Sequence, residues 1–225
     1  MSTYTEIRQI FKRPLTDIAK ELGYPDSTIC VLSGDEELLK EKYPETYANA
    51  IECKHHRDSR TPMQYAMDLS ASWLMEDFII RKLRDCGLDI RGAGNDKERS
   101  LLPSTKVASA NSDCIVEHNG IVRNVEIMND YKGYWSRFHK IDLRDDKYNR
   151  LKRDNTIFLG ISTKDRKYIL IDFSKDSSAV YIPYHFAYNK PAYSIVITQE
   201  MLHNLSFKDI AETIEEFSVD YLNNK

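Results

Sequence analysis

The spacing of apolar residues predicts several helices. Between residues 61 and 87, apolar side chains recur three and four positions apart, which is typical of a helix that buries one face. The segment Thr61-Pro62-Met63-Gln64 predicts the beginning of this helix, because Thr and Gln can form a capping box and Pro suits the first helical position. Cys86-Gly87 predicts its end. Further helices are expected over residues 6–47 and after a cap formed by Ser206 with Asp209.

Shorter apolar runs predict strands. Residues 156–161 and 168–173 are almost continuously apolar, as in the buried strands of a central sheet. Two runs rich in Ile and Val flank Asn119-Gly120, a pair typical of a two-residue hairpin turn that requires positive φ at both positions. In the register that this turn sets, Asp113 faces Glu126. The aromatic-rich residues 181–193 are expected to pack at the domain edge or to form a loop beside a groove.

These elements predict an α/β (α+β) fold with a mixed central sheet flanked by helices. A small helical region is expected over residues 1–60, and a core domain over residues 61–225. A chain of 225 residues is long enough for one substantial core with a small appendage.

The facing pair Asp113 and Glu126 is the first candidate for chemistry. Residues directly opposite each other on antiparallel strands have Cβ atoms about 5 Å apart, and two negative charges at that distance repel each other. A divalent cation bound by carboxylate oxygens removes this repulsion. The alternative is a solvated hairpin face that binds nothing.

At these residues the chain resembles the PD-(D/E)XK nuclease superfamily. The resemblance is to Ser112-Asp113 on one strand, followed after a hairpin by Glu126-Ile127-Met128 on the next. It extends over roughly residues 62–173, where a helix, the acidic hairpin, a basic helix and two strands follow in the order of the family core. The position of the motif lysine is occupied by Met128.

The resemblance implies a restriction-endonuclease-like fold and a site for Mg²⁺, with Mn²⁺ as a possible substitute. Asp113, Glu126 and the Ile127 carbonyl would hold the metal. The first core helix of the family often contributes another acid, and Glu76 is the candidate. The nearest downstream cation that can replace the missing lysine is Lys132, with Lys140 and Lys147 as further options.

A basic stretch follows the hairpin. Residues 131–153 contain eight Lys and Arg against three acids, with five aromatic residues interleaved, although the whole chain has a net charge of only −3. Basic side chains neutralise phosphates and aromatic rings can stack on bases, so the stretch predicts nucleic-acid contact. The candidate contact residues are Tyr134, Trp135, Arg137, Lys140, Arg144 and Lys147.

A second candidate for nucleic-acid contact lies near the N-terminus. Apolar residues around Gly23 fit the spacing of a helix-turn-helix, which would place Ser27 and Thr28 near a major groove. A plain helical hairpin that packs on the main domain is the alternative.

Composition limits the class of protein. The chain is 30% charged and 41% hydrophobic, has no apolar run of transmembrane length, and contains four widely spaced cysteines. These features predict a soluble protein with reduced thiols in the cytoplasm. The resemblance implies that the cell is prokaryotic or phage-infected.

The expected function is metal-dependent and sequence-specific cleavage of double-stranded DNA, of restriction or homing type, by a homodimer. The first alternative is a non-catalytic DNA-binding protein built on a degenerate nuclease core. The second is a protein-interaction module, which leaves the basic stretch unexplained.

Overall fold

Two compact units make up the chain. The computed structural model describes residues 2–54, 59–93, 99–101, 112–175 and 178–223. The first unit comprises Met1–Arg81 and Gly94–Asn111, and the second comprises Lys82–Ala93 and Ser112–Lys225. The division therefore falls at Arg81, inside the long helix, and not at residue 60 as expected from the sequence.

Short helices form the N-terminal part of the first unit, as predicted. They are α1 (Thr3–Phe11), α2 (Leu15–Glu21), α3 (Asp26–Ser33), α4 (Glu36–Lys42) and α5 (Pro44–Glu52). Local sequence explains their starts, since the Ser2 side chain caps α1, Asp35 caps α4, and Pro44 occupies the first turn of α5. Ile7 and Leu39 are fully buried, so these helices have an apolar core.

The long helix α6 (Pro62–Asp85) begins and ends where the sequence predicts. Its capping box is formed: the Thr61 N–H donates to Gln64 Oε1 over 3.0 Å, and the Gln64 N–H donates to Thr61 Oγ1 over 3.2 Å. Gly87 ends it with φ of 97°. Asp77 of α6 accepts a hydrogen bond from the Tyr24 hydroxyl, a contact within the first unit, which contains most of this helix.

The second unit contains two sheets. Its strands are β1 (Ile90–Gly92), β2 (Cys114–His118), β3 (Ile121–Asp130), β4 (Lys140–Arg144), β5 (Ile157–Ser162), β6 (Lys167–Asp172), β7 (Ala179–His185), β8 (Lys190–Val196) and β9 (His203–Asn204). The larger sheet has the order β1-β2-β3-β5-β6-β9, and the smaller sheet has the order β4-β8-β7. In the larger sheet β3 and β5 are parallel, and the other neighbours are antiparallel. The described residues therefore confirm a mixed α/β architecture.

The hairpin β2–β3 has the predicted register. His118 pairs with Ile121, and Cys114 pairs with Val125 at the other end of the strand. Asn119 and Gly120 both have positive φ, at 50° and 78°, as a two-residue turn of this kind requires. Local turn chemistry thus fixes which side chains of the two strands face each other.

The expected basic helix is wrong as a single element. The stretch instead folds into α7 (Tyr134–Phe138), β4 and α8 (Asp145–Arg153). Gly133 and His139 adopt left-handed conformations at the two ends of α7, which keeps that helix to five residues. Ile141 and Leu143 then alternate with polar residues at a period of two and are buried, so a strand forms.

The smaller sheet also accounts for the aromatic segment near residue 190. This segment forms β7 and β8, which pair with each other, and β8 pairs with β4. One hydrophobic cluster lies under this sheet and includes Trp135, Tyr148, Phe158 and Phe173. The helix α9 (Phe207–Asn223) begins at the predicted cap, where the Asp209 N–H donates to Ser206 Oγ over 3.2 Å. Among the described residues, no helix combines the length and apolarity needed to cross a membrane.

Candidate functional site

Asp113 and Glu126 meet at the open end of the β2–β3 hairpin, as predicted. The last ladder pair is Cys114 with Val125, so Asp113 and Glu126 occupy the next position along the two strands. Asp113 Oδ2 accepts a hydrogen bond of 2.8 Å from the Ile127 N–H. Glu126 lies within β3 and is only 4% exposed. The hairpin therefore brings two carboxylates together in a region that is shielded from water.

Burial and the neighbouring carboxylate raise the pKa of Asp113. Burial is the main cause that raises it from 3.8 to about 6, and the negative charge of Glu126 raises it further. The Ile127 N–H, Lys147 and Arg150 act in the opposite direction but offset only part of the effect. The ionised form of Asp113 is thus disfavoured by the surrounding protein groups.

Two cations from α8 contact Glu126. Lys147 Nζ lies 2.7 Å from Oε1, and Arg150 Nη2 lies 2.9 Å from Oε2. These residues are three positions apart and therefore lie on one side of the helix. Tyr148 and Leu151, their neighbours in sequence, belong to the hydrophobic cluster and anchor α8. Packing of α8 thereby places one cation on each oxygen of the carboxylate.

Lys147 is the lysine that contacts the acidic pair. Met128, at the position of the motif lysine, packs against the hydrophobic cluster. Lys132, the first option from the sequence, is exposed, and its backbone N–H donates to Asp130. Lys140 pairs with Asp142 at 2.9 Å. Of the three options, only Lys147 is brought to Glu126.

The metal-ligand set is small. In the described parts of the chain, no group of three or more His, Cys, Asp or Glu side chains is arranged to hold a metal ion. The ligands implied by the resemblance are two carboxylates and a backbone carbonyl, so this set contains only two ligand side chains. Ile127 belongs to β3, where it pairs with Leu159 of β5, and its N–H donates to Asp113 Oδ2.

Glu76 has a partner of its own in the first unit. Arg99 Nη1 lies 3.0 Å from Glu76 Oε2, and the Arg99 side chain also binds Asp77. The Glu76 side chain is only 20% exposed, and a carboxylate so shielded from water needs a partner, which Arg99 provides. The structure adds no support for Glu76 as a metal ligand.

The predicted nucleic-acid contacts around α7 fall into two groups. Trp135 is 4% exposed and belongs to the hydrophobic cluster, so its predicted role in nucleic-acid contact is wrong. The Trp135 ring lies so close to Gly160 that a Cβ atom added at residue 160 would be 2.8 Å from the ring. Tyr134 is 37% exposed, and its hydroxyl donates to Asp142. The exposed group also includes Arg137, whose guanidinium lies over the Phe138 ring.

Arg144 and Lys140 complete the basic surface of β4. Arg144 is exposed and lies 3.4 Å from Asp146, and Lys140 is half-buried beside Asp142. Salt bridges at exposed positions are weak, so Arg144 can exchange Asp146 for a phosphate. The Lys140 side chain is 33% exposed and can contact a phosphate while it stays paired with the buried Asp142. Both residues therefore stay candidates for nucleic-acid contact.

The N-terminal contacts are not supported. The helices α2 and α3 flank Gly23, which has φ of 77°, so a short helix-turn-helix is present. Thr28, however, is buried, and its hydroxyl donates to the Arg99 carbonyl over 3.3 Å. The predicted contact of Thr28 with DNA is therefore wrong. Ser27 is half-buried, and α3 contains neither Lys nor Arg, as fits the helical-hairpin alternative.

Arg150 was not among the predicted site residues. A signal for it exists in the sequence, because Lys147 and Arg150 share one side of a helix whose adjacent positions, Tyr148 and Leu151, are apolar. That signal becomes specific only when the helix is known to pack over Glu126.

Comparison with known proteins yields no family. No family model matches the chain, and no curated protein matches it significantly. The function proposed for this chain therefore depends on the geometry of its own residues.

Proposed function

We propose that this protein is a metal-dependent DNA endonuclease that hydrolyses phosphodiester bonds, built on a restriction-endonuclease-like core. One observation carries the proposal: half-buried Asp113 and buried Glu126 lie together at the end of a hairpin, and Lys147 contacts Glu126 directly. Two acids and a lysine are the functional groups of the resembled nuclease motif, and here the lysine comes from α8 instead of β3.

The order of elements supports the same proposal. The helix α6, the hairpin β2–β3, the helix α8 and the strands β5 and β6 follow one another along the chain. The strands β3 and β5 are parallel, so the segment that contains α8 is a crossover connection between them. This is the core order of the resembled family, with β4 as an addition in the crossover.

The acidic pair fits a divalent cation. Mg²⁺ prefers oxygen ligands, and the candidates are Asp113, Glu126 and the Ile127 carbonyl, with Mn²⁺ as a substitute. Burial and the negative charge of Glu126 both raise the pKa of Asp113, and a cation bound beside the pair would favour the ionised form of Asp113. When bound, the metal would lower the pKa of a coordinated water and neutralise charge on the phosphate.

The protein's own groups would orient the reactants. Lys147 Nζ lies 2.7 Å from Glu126 Oε1 and can donate a hydrogen bond to the attacking water or to a phosphate oxygen. The Ile127 N–H holds Asp113 in one orientation through its bond to Oδ2. The buried surroundings strengthen both interactions, because the effective dielectric there is lower than in water.

The exposed cations would bind the nucleic-acid backbone. Arg137, Lys140 and Arg144 lie on α7 and β4, within eight residues of the start of α8 in the chain. Tyr134 adds an exposed ring at the same place. Cleavage of both strands at one sequence would most simply use a two-fold homodimer with one site for each strand.

Digestion of plasmid and genomic DNA by the purified chain tests the proposal. We expect fragments in Mg²⁺ or Mn²⁺, no fragments in EDTA, and no cleavage by Asp113→Asn with DNA binding retained. Asp85→Asn is the matched control, because Asp85 is exposed and its carboxylate lies 3.8 Å from Lys82. Cleavage that persists undiminished in Asp113→Asn would refute the assigned site.

A second variant tests the role of the lysine. Lys147→Ala is expected to cleave at least about a hundredfold more slowly, as is typical when a group that stabilises developing charge is removed. Lys175→Ala is its control, because Lys175 is half exposed and pairs with Asp220. Equal rates for the two variants would remove Lys147 from the mechanism.

One observation favours a non-catalytic alternative. Both oxygens of Glu126 already have a cationic partner, so Lys147 and Arg150 can permanently take the place of a metal. The protein would then bind DNA without cutting it. Salt-dependent DNA binding without cleavage in any metal would support this alternative, whereas the absence of salt-dependent binding would favour a protein-interaction module.

A further inference from the structure

The two cations on Glu126 leave little room for a metal. Lys147 and Arg150 lie 2.7 and 2.9 Å from its two oxygens, and the Glu126 side chain is 5% exposed. A divalent ion that bound Glu126 in this state would lie beside two positive charges and would compete for the same lone pairs. The contacts of Lys147 and Arg150 with Glu126 therefore oppose metal binding unless one cation leaves.

Arg150 is the cation best suited to leave. Its guanidinium is planar and presents N–H groups that match two phosphate oxygens, whereas an ammonium is a point charge. Its side chain is 13% exposed, so part of it reaches the protein surface. A phosphate group can accept two hydrogen bonds from the Arg150 guanidinium, whereas Glu126 Oε2 accepts one from Nη2.

We propose that Arg150 exchanges Glu126 for a phosphate of the DNA backbone and thereby opens one Glu126 oxygen to the divalent ion. This inference rests on the proposed function and adds a regulatory step to it. Metal binding becomes coupled to DNA binding, and by reciprocity the metal strengthens DNA binding by the same factor. Free protein then binds metal weakly, which limits hydrolysis to occasions when DNA is in place.

The first test measures Mn²⁺ binding to the full chain without DNA, from the electron paramagnetic resonance signal of free Mn²⁺. Arg150→Gln is expected to bind Mn²⁺ at least about tenfold more tightly than the wild-type protein, which is within the usual range of coupling between sites. Adding Glu126→Gln to this variant is expected to abolish the gain, because the opened oxygen is then absent. A merely structural role for Arg150 would not increase metal affinity.

Arg153→Gln is the matched control. It removes the same charge from the same helix, but Arg153 is 73% exposed and pairs with Asp154. Its Mn²⁺ affinity is expected to equal that of the wild type. If Arg150→Gln binds Mn²⁺ no more tightly than Arg153→Gln, the proposal is overturned.

The second test measures binding of a short labelled DNA duplex with and without Mn²⁺, with intact duplex verified on a denaturing gel. Mn²⁺ is expected to tighten binding by the wild type and not by Arg150→Gln. Mn²⁺ also screens the DNA phosphates, and Glu126→Gln is the control for that effect. Screening is the same for this variant, but the carboxylate that would bind the metal is absent. Equal effects of Mn²⁺ on the wild type and Glu126→Gln would overturn the coupling.

Failure of this inference and failure of the proposed function give different results. A protein that neither binds nor cuts DNA refutes the proposed function. A protein that cuts DNA, but whose Mn²⁺ affinity is the same in Arg150→Gln and Arg153→Gln, refutes only the role of Arg150.

Discussion

Replacing Asp113 with Asn is expected to stabilise the second unit at neutral pH. The pKa of Asp113 rises from 3.8 to about 6 on folding, because the side chain is buried beside Glu126. A raised acid pKa contributes stability below the pKa of the unfolded chain, and that contribution is lost as pH rises through the folded pKa. Asn cannot ionise, yet its side-chain oxygen can still accept the Ile127 N–H.

The size of the effect follows from the pKa difference. Roughly two pKa units at about 1.4 kcal/mol each give a gain of about 3 kcal/mol at pH 8. The gain falls to less than about 1 kcal/mol at pH 4, where Asp113 is protonated in the folded state and only partly ionised in the unfolded chain. Most of the change takes place between pH 3.8 and about 6.

Urea unfolding at pH 4, 6 and 8 measures this gain. The two tryptophans lie in different units, Trp73 in the first and Trp135 in the second. A Trp73→Phe background therefore makes fluorescence report on the second unit. A gain that is equal at pH 4 and pH 8, or a loss of stability at pH 8, would refute the argument, and the exposed control Asp85→Asn is expected to change the free energy by less than about 0.5 kcal/mol.

Three further substitutions test the packing around the site. Arg123→Met breaks a buried ion pair of 2.6 Å with Asp172 and is expected to cost about 3–5 kcal/mol in urea unfolding, with a smaller loss when Asp172→Leu is added. Gly160→Ala places a Cβ 2.8 Å from the Trp135 ring, so we expect a loss of about 1–3 kcal/mol and a changed Trp135 fluorescence spectrum. Thr61→Ala removes the cap of α6, and calorimetry should show a loss of about 1 kcal/mol in the first unit. An unchanged stability in any of the three would contradict the contact that it tests.

Features set by neighbouring residues were predicted correctly. The turn at Asn119-Gly120 needs only the conformational freedom of those two residues, and it fixed the pairing that brings Asp113 to Glu126. The capping box of α6 likewise involves residues only three positions apart. Such contacts depend on local backbone geometry, which can be predicted from the types and spacing of neighbouring residues.

Features set by distant packing were predicted incorrectly. Trp135 was expected at a nucleic-acid surface, but it packs in the hydrophobic cluster, where it is 4% exposed. Thr28 was expected at a groove, but its hydroxyl binds the carbonyl of Arg99, 71 residues away. An aromatic or polar residue is compatible with either setting, and only the surrounding fold selects one.

The sequence by itself determined the hairpin, its register and the meeting of two acids at its open end. For the lysine of the resembled motif it offered three candidates, Lys132, Lys140 and Lys147, without determining which of them contacts the acids. The tertiary structure decided that point, because the apolar face of α8 packs on the hydrophobic cluster and carries Lys147 and Arg150 to Glu126. The register of a hairpin depends on its turn, whereas the contact of Arg150 with an acid 24 residues earlier depends on how a helix packs across a sheet.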